Sequence, residues 1–543
     1  MSPLYSNGQK LTTSLGASLF DYADALRIRV PTSCGRTGEC HECIVDVAKG
    51  MNALCDLKAS ESFLRGNYRL ACQATVIDES EEIEFSVLRR QPRILTQSLK
   101  RTVELDPLTK RSGGTVVFGD NQIDTYRGRI LGLSIDVGTT TVVLNLVDLE
   151  DGQVLHTASF ENPQKFGGSD VMHRISYDGG EFHGELQQVM LSSINFEIGE
   201  MSRQLQIHRR WIYEVVVVGN ATMRDLVFGY DVQSIGERPY KSLTELEMLD
   251  GGRTSTAINI KAKELGLRIF PEANVFGAPL VASHVGSDIV AGLLGIGIDQ
   301  QDSTVMLVDI GTNTEVVIGN RHRMMAASCP AGPAFEGGEI TYGMPGYDGA
   351  IEGVVISKEI PEVSTIGGSS PQGICGSGLV DLLAELRRVG KMNQLGVFND
   401  GSNEFFFESE NQMSLSRSDI SALAQAKSAN FSGQYIVLRN YGVGIENVER
   451  LYLAGGFANY VNVENAIRIG FIANINKDRV LKVGNSSLEG ATLMLISKHM
   501  RDIAEDIVNK IEHVELETTP DFFEIFVEGC MFDPMTPSND SRN

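Results

Sequence analysis

Long apolar runs are missing from this chain, and that excludes a membrane-spanning helix, which needs roughly 18 consecutive residues of that kind. The opening stretch MSPLYSNGQK has neither the basic patch nor the apolar core of a secretory leader. A cytoplasmic protein with reduced thiols is therefore expected. Positive charge is scarce as well: 47 Lys and Arg stand against 70 Asp and Glu, a net charge of -23. A surface that grips phosphodiesters needs clustered Lys and Arg, so nucleic acid is excluded as a partner. Acidity on this scale first serves solubility, and it can also steer a basic docking patch of a redox partner. No GxGxxG follows an apolar strand, which leaves out a flavin or nicotinamide domain. Cysteine is rare, 8 residues in 543, yet three of them crowd into CGRTGECHEC between Cys34 and Cys43.

That crowding is the first positive signal. A disulfide framework suits short secreted chains, and structural zinc usually takes two tight CxxC pairs. Here five residues separate Cys34 from Cys40, two separate Cys40 from Cys43, and 28 lead on to Cys72. This is close to the Cx4CxxC…C spacing of plant-type [2Fe-2S] ferredoxins, with the longer first gap of adrenodoxin-like members. In SLFDYADALRIRVPTSC, Leu19, Phe20, Ala23 and Leu26 fall on one helical face, and Pro31 stops the chain before the first ligand. IVDVAKG then reads as a short strand, and YRLACQATV delivers Cys72 at a strand edge. Gly35 and Gly38 allow a tight loop whose N–H groups point at sulfur. A [2Fe-2S] cluster on Cys34, Cys40, Cys43 and Cys72 is expected, with zinc as the alternative. Cys55 reads as a spare thiol. His41, where many ferredoxins have glycine, reads as a solvated side chain, with tuning of the cluster as the other option.

Residues 1–90 thus form an α+β ferredoxin domain of the β-grasp type. The basic, proline-punctuated stretch that follows, placed at 91–128, reads as a linker, and a tether of that kind would let a carrier visit both donor and acceptor. Beyond it lies an internal repeat. IDVGTTTVV and VDIGTNTEVV each read as strand, glycine turn, strand. Two such turns can grip nucleotide phosphates: Gly138 and Gly311 permit close backbone approach, while Thr139, Thr140, Thr141, Thr312 and Asn313 donate to oxygens. Asp136 and Asp309 are placed to hold Mg2+ through water or to orient an attacking water. Gly455 and Gly456 end the strand of LYLAGGFANY, where a backbone can lie flat against adenosine. Gly376 and Gly378 open an amphipathic helix with free N–H groups.

Together these motifs resemble the acetate and sugar kinase, Hsp70 and actin superfamily. The resemblance implies a two-lobed α/β ribonuclease H-like ATPase, with lobes at 129–300 and 301–534 and a polar tail at 535–543. A plant-type ferredoxin fused to this ATPase resembles the reductive activators of corrinoid proteins. VVVVGNATMRDLVFGYDVQSIGERPY, GAPLVASHVGSDIVAG, SCPAGPAFEGGEI, GICGSGLVDLLAEL and AGGFANYVNVENAIRIG carry it, in the family's order, over about Gly8 to Pro534. Thr314 departs from the usual GTNGE and Ala221 from GNTTM. The short linker is expected to leave no room for the extra middle domain of longer members, which bears on a homodimer as the assembly.

The resemblance implies an ATP-dependent activator that passes one electron from its cluster to the Co(II) corrinoid of a partner methyltransferase protein, restoring Co(I). It implies ATP and Mg2+ as cofactors, an external low-potential electron donor, and Ser328 as a residue approaching cobalt. Packing of the SCPAGP turn is the other reading of Ser328. No DxHxxG motif is present, so the corrinoid is expected on the partner. Rival readings are a redox-regulated small-molecule kinase, with Glu315, Glu336 or Asp288 as base, and an ATP-driven electron donor to an enzyme without cobalt, for which Cys329, Cys375 and Cys530 are too isolated to hold a shared cluster. An Hsp70-like module with the cluster as sensor is the third, although only a short polar segment follows Pro534.

Overall fold

The computed structural model describes residues 2–6, 8–88, 99–358, 360–456 and 458–535. The chain divides into two compact units. One comprises residues 1–91, 107–217 and 222–277; the other comprises 92–106, 218–221 and 278–543.

The first unit begins with β1 (Pro3–Ser6), β2 (Gln9–Thr12), α1 (Leu19–Ala25), β3 (Ile44–Lys49), β4 (Tyr68–Leu70) and β5 (Ile83–Val87). The strands form one sheet in the order β2-β1-β5-β3-β4, with β1 and β5 parallel. Ser18 caps α1 in a box with Asp21, satisfying two backbone N–H groups at once. Leu19, Phe20 and Ala23 are buried as their spacing predicts, Tyr22 joins them, and Leu26 is only half-buried at the helix end. The domain is pinned by a buried ion pair. Arg69 Nε and Nη2 donate to the Glu61 carboxylate at 2.9 and 3.1 Å, and Leu70 N donates to the same carboxylate. Removing one partner strands a desolvated charge, so Glu61→Ala is expected to destabilise the domain by about 3–5 kcal/mol, read as a lower urea midpoint.

The stretch expected to be a linker is ordered where described. β6 (Thr109–Ser112), β7 (Thr115–Phe118) and β8 (Asn121–Thr125) form an antiparallel sheet. Thr109 donates from N and Oγ1 to the buried Glu214 carboxylate at 3.1 and 2.6 Å, and Tyr213 donates to Asp124. Residues 89–98, the start of that stretch, and 536–543, nearly all of the tail, lie outside the described residues.

Next come β9 (Leu131–Val137), β10 (Thr141–Asp148), β11 (Val154–Glu161), α2 (Val171–Asp178), α3 (Glu185–Gln204), β12 (Ile212–Gly219), β13 (Ile258–Lys261) and β14 (Asn274–Gly277). Their sheet runs β11-β10-β9-β12-β14-β13. β12, IYEVVVVG, is buried along its whole length, the mark of a central strand covered on both faces.

The second unit repeats the plan. β15 (Val305–Ile310), β16 (Thr314–Gly319) and β17 (Met324–Cys329) form an antiparallel meander. After β18 (Ala350–Ser357), β19 (Ile360–Thr365), β20 (Gly373–Ile374), β21 (Glu404–Glu408) and β22 (Met413–Ser416), the parallel strands β23 (Arg450–Ala454) and β24 (Val480–Gly484) and a short β25 (Ile511–His513) complete the sheet β24-β23-β15-β16-β17-β25. Helix Arg417–Tyr441 packs on this sheet and carries the buried Lys427, whose Nζ donates to Met531 O at 2.7 Å. Burial lowers the Lys427 pKa to about 7, against the opposing pull of Cys530 and Asp533. The folded pKa lies below the unfolded one, so between pH 7 and about 10.4 the unfolded chain binds more protons and stability rises with pH. Below pH 7 the full cost is present. Lys427→Met is expected to remove a slope of at most about 1.4 kcal/mol per pH unit in urea melts between pH 7 and 9.

Candidate functional site

The cysteine loop is shaped by backbone that few side chains tolerate: Gly35, Arg36, Gly38 and His41 all have positive φ. At Gly38, φ +90°, a Cβ would press on Gln73 and Ser60. The four thiols meet as two pairs. Cys43 Sγ lies 3.4 Å from Cys72 Sγ, and Cys34 interacts with Cys40. Electrostatic contact links the pairs through Cys34 with Cys72 and Cys40 with Cys43. Burial raises the Cys34 thiol, but hydrogen bonds from Thr37 and Cys40 prevail and hold it at about 5. Contact with Cys43, helped by Gln73, lowers Cys72 to about 7, while the same contact and burial push Cys43 up. Gln73 Nε2 donates to Cys72 Sγ at 3.2 Å.

Four adjacent thiols, with Cys34 and Cys72 held low enough to ionise, fit the four-cysteine donor set of a [2Fe-2S] cluster. Among the described residues no three His, Cys, Asp or Glu side chains converge as a site for one metal ion. Cys55 stands apart from the four, beside Arg69 and Thr75.

His41 is not a solvated side chain. It stacks on Phe63 at 4.1 Å, and its Nδ1 lies 2.9 Å from Glu185. α3 presents a row to the cysteine loop: Glu185 to His41, Gln188 to Cys40 O at 3.3 Å, and Ser192 to Glu42 at 3.1 Å. Phe63 continues the seam through Phe166 to Tyr177, whose hydroxyl donates to Phe63 O. In this structure the ferredoxin domain is therefore docked on the β9–β14 lobe, where a free tether was expected.

In the same unit, the Asp136–Thr141 turn joins β9 to β10, closed by Gly138 N donating to Thr141 O at 3.0 Å. Two residues that sequence reasoning missed brace it from behind. Asn162 Nδ2 donates to Gly138 O at 2.8 Å, and the buried Arg174 donates to Thr139 O at 2.7 Å. Two of the turn's carbonyls are held this way, which fixes its shape.

The second unit gathers the rest. Gly311 N donates to Asn313 O at 3.0 Å, and Thr312 Oγ1 donates to Glu336 at 2.6 Å. Asp309 pairs across to Ala454, which brings Gly455 beside this turn. Gly455 has φ +108°, and a Cβ there would sit 2.0 Å from Ile310 O. Gly376 and Gly378 open helix Gly376–Arg388, which packs on the turn that carries Glu336. Gly378 lies against Ile351 O, where a Cβ would come within 2.3 Å. Ser328 Oγ donates to the buried Glu315 at 3.1 Å. Burial, then the charges of Asp288 and Asp309, raise the Glu315 carboxyl well above its ordinary range.

A family described as the 2Fe-2S iron-sulfur cluster binding domain matches residues 4–76. The RACo middle region matches 131–301, and the C-terminal domain of RACo, the ASKHA domain, matches 303–540. The corrinoid activation enzyme RamQ of Eubacterium limosum is 33% identical over 74% of this chain and 70% of its own length. The chain belongs to the RACo family. The [Co(II) methylated amine-specific corrinoid protein] reductase of Methanosarcina barkeri is 23% identical over 72% of this chain and 75% of its own. A solved structure named as a reductive activator for corrinoid, iron-sulfur protein shares 28% identity and a TM-score of 0.71 over 98% of this chain and 99% of that one. The RACo middle region covers the stretch expected as the first ATPase lobe and carries the first DxGT turn. In RACo terms the four cysteines lie in the cluster domain, Asp136–Thr141 in the middle region, and Asp309 and Ser328 in the ASKHA domain.

Proposed function

We propose that this protein is an ATP-dependent reductive activator that returns the Co(II) corrinoid of a partner methyltransferase protein to Co(I). The observation that carries the reading is the union, in one RACo-family chain, of two contacting thiol pairs with two DxGT turns. When bound, a [2Fe-2S] cluster supplies a store for one electron near roughly -400 mV. Cys34, Cys40, Cys43 and Cys72 hold it, and Gln73 adds an N–H donor to one sulfur. Plant-type potentials are not low enough for Co(I) unaided, and each tenfold of unfavourable equilibrium is about 59 mV for one electron. Nucleotide helps only through differential affinity for two states of the complex. In this reading Asp136 and Asp309 would hold Mg2+ or orient an attacking water. Thr139–Thr141 and Gly311–Asn313 grip phosphates, Gly455 and Gly456 lie against adenosine, and Gly376 and Gly378 offer helix N–H groups. Ser328 approaches the cobalt of the docked partner.

The relatives' names point to a corrinoid protein as substrate, without fixing which one. The electron donor is an external low-potential carrier, a homodimer is the assembly to test, and the cytoplasm is the compartment. No described helix is long and apolar enough to cross a membrane. Of the three candidate bases of the kinase reading, Glu315 and Glu336 accept hydrogen bonds from Ser328 and Thr312. Steady-state ATP hydrolysis by the anaerobic, reduced protein discriminates the two. Stimulation by Co(II) corrinoid proteins supports the proposal. Stimulation by a sugar or carboxylate acceptor, with phosphorylated product, would replace it.

A further inference from the structure

The register of the second sheet places three functional side chains in one row. Asp309 of β15 is the direct partner of Glu315 of β16, and Glu315 is the direct partner of Ser328 of β17. Directly opposed residues of an antiparallel pair point to the same face, with Cβ atoms about 4.5–5.5 Å apart. The row therefore runs from the aspartate of the phosphate turn, through a buried carboxyl, to a half-buried hydroxyl. Its second link is a hydrogen bond, Ser328 Oγ to Glu315 Oε1 at 3.1 Å. Both turns that flank the row belong to the same unit as the row itself.

We propose that Glu315 is a positioning residue that couples occupancy of the nucleotide turn at Asp309–Asn313 to the orientation of the Ser328 hydroxyl. The proposal rests on the reading of that turn as phosphate-binding. The backbone of Glu315 is fixed between two strands, so it can respond only by turning its side chain. Phosphate oxygens and a cation settling against Asp309 change the charge one strand away, and the oxygen that Glu315 offers Ser328 moves in response. Linkage makes the effect reciprocal: whatever reorients Ser328 from outside changes nucleotide affinity by the same factor. A partner engaging Ser328 would then be felt at the nucleotide without a rearrangement of the sheet.

The test is a double-mutant cycle on full-length protein, with Mg-AMPPNP binding measured by titration calorimetry. Ser328→Ala is expected to change the Kd by about five-fold or more. In a Glu315→Ala background the same change should fall below about two-fold, the near-additive limit. Glu315→Gln still presents a carbonyl oxygen to Ser328 and should restore the response, whereas Glu315→Met, which fills similar space without an acceptor oxygen, should not. An unchanged Kd in Ser328→Ala, a half-buried position that tolerates truncation, overturns the proposal, and so does an equal shift in both backgrounds. Absence of Mg-AMPPNP binding by the unaltered protein removes the nucleotide reading and this proposal with it. Tight binding that ignores Ser328 removes only the proposal.

Discussion

Cys72→Ser is expected to abolish the visible absorbance and reduced-state EPR signal of the cluster and to lower corrinoid reduction by at least about 100-fold, while nucleotide still binds. Even the hydrogen-bonded surroundings of metal ligands are worth 10–100-fold, so loss of a ligand itself should exceed that. Cys72 sits in the turn after β4, with its sulfur against Cys43 and under the Gln73 amide. A serine hydroxyl there is not ionised near neutral pH and cannot take the place of a thiolate held at about 7. The fold around it should survive, because the Arg69–Glu61 pair and the core of Leu70, Ala71 and Ala74 are untouched. Iron content, EPR and far-UV circular dichroism on one preparation check this. A normal cluster in Cys72→Ser would move the fourth ligand elsewhere.

Gly455→Ala is the second large effect, and its neighbour provides the control. The new Cβ would lie 2.0 Å from Ile310 O, at a backbone φ of +108° that L side chains rarely adopt. Ile310 ends β15 just after Asp309, so relief must come from moving the Gly311–Asn313 turn. A loss of about 1–3 kcal/mol or more in stability is expected, together with at least roughly ten-fold weaker binding of Mg-AMPPNP, equivalent to about 1.4 kcal/mol. A Cβ on Gly456 meets nothing within 4 Å. Gly456→Ala should therefore keep its stability within about 0.5 kcal/mol, the usual range for a substitution that creates no clash, and lose affinity only through contact with the nucleotide. Thermal melts with and without Mg-AMPPNP separate the two. Equal behaviour of the two variants would place the adenosine elsewhere.

What the sequence made legible was local. Three of the four cysteines fall within ten residues and each DxGT within four, and both DxGT copies fold as strand, turn and strand in the expected places. His41 was misread because its partners are remote: Glu185 lies 144 positions on, and Phe63 meets the ring only through the tertiary fold. Arg174 and Asn162 were missed for the same reason, since a brace behind a turn leaves no periodic signal. The sheet at 109–125 hid inside a polar, charged stretch. β6 buries only Thr109, and the carboxylate that fixes it, Glu214, is 105 residues away on β12. Ser328 was found by resemblance. Its link to Glu315 became visible only when the strand register set the two side by side.

The docked ferredoxin domain bears directly on how the electron travels. α3 covers the Cys40–Glu42 side of the loop, leaving Cys34, Gly35 and Arg36 on its accessible side. Arg36 spans Asp21 and Asp24 there, above Phe20.

The most direct test of the central claim follows the cobalt absorbance of a purified Co(II) corrinoid protein mixed anaerobically with this protein and a strong reductant. The account predicts that Co(I) appears only when Mg-ATP is present, and that Cys72→Ser and Gly455→Ala each suppress it. Co(I) forming equally well without nucleotide would contradict the account, because the two DxGT turns would then play no part in driving the electron uphill.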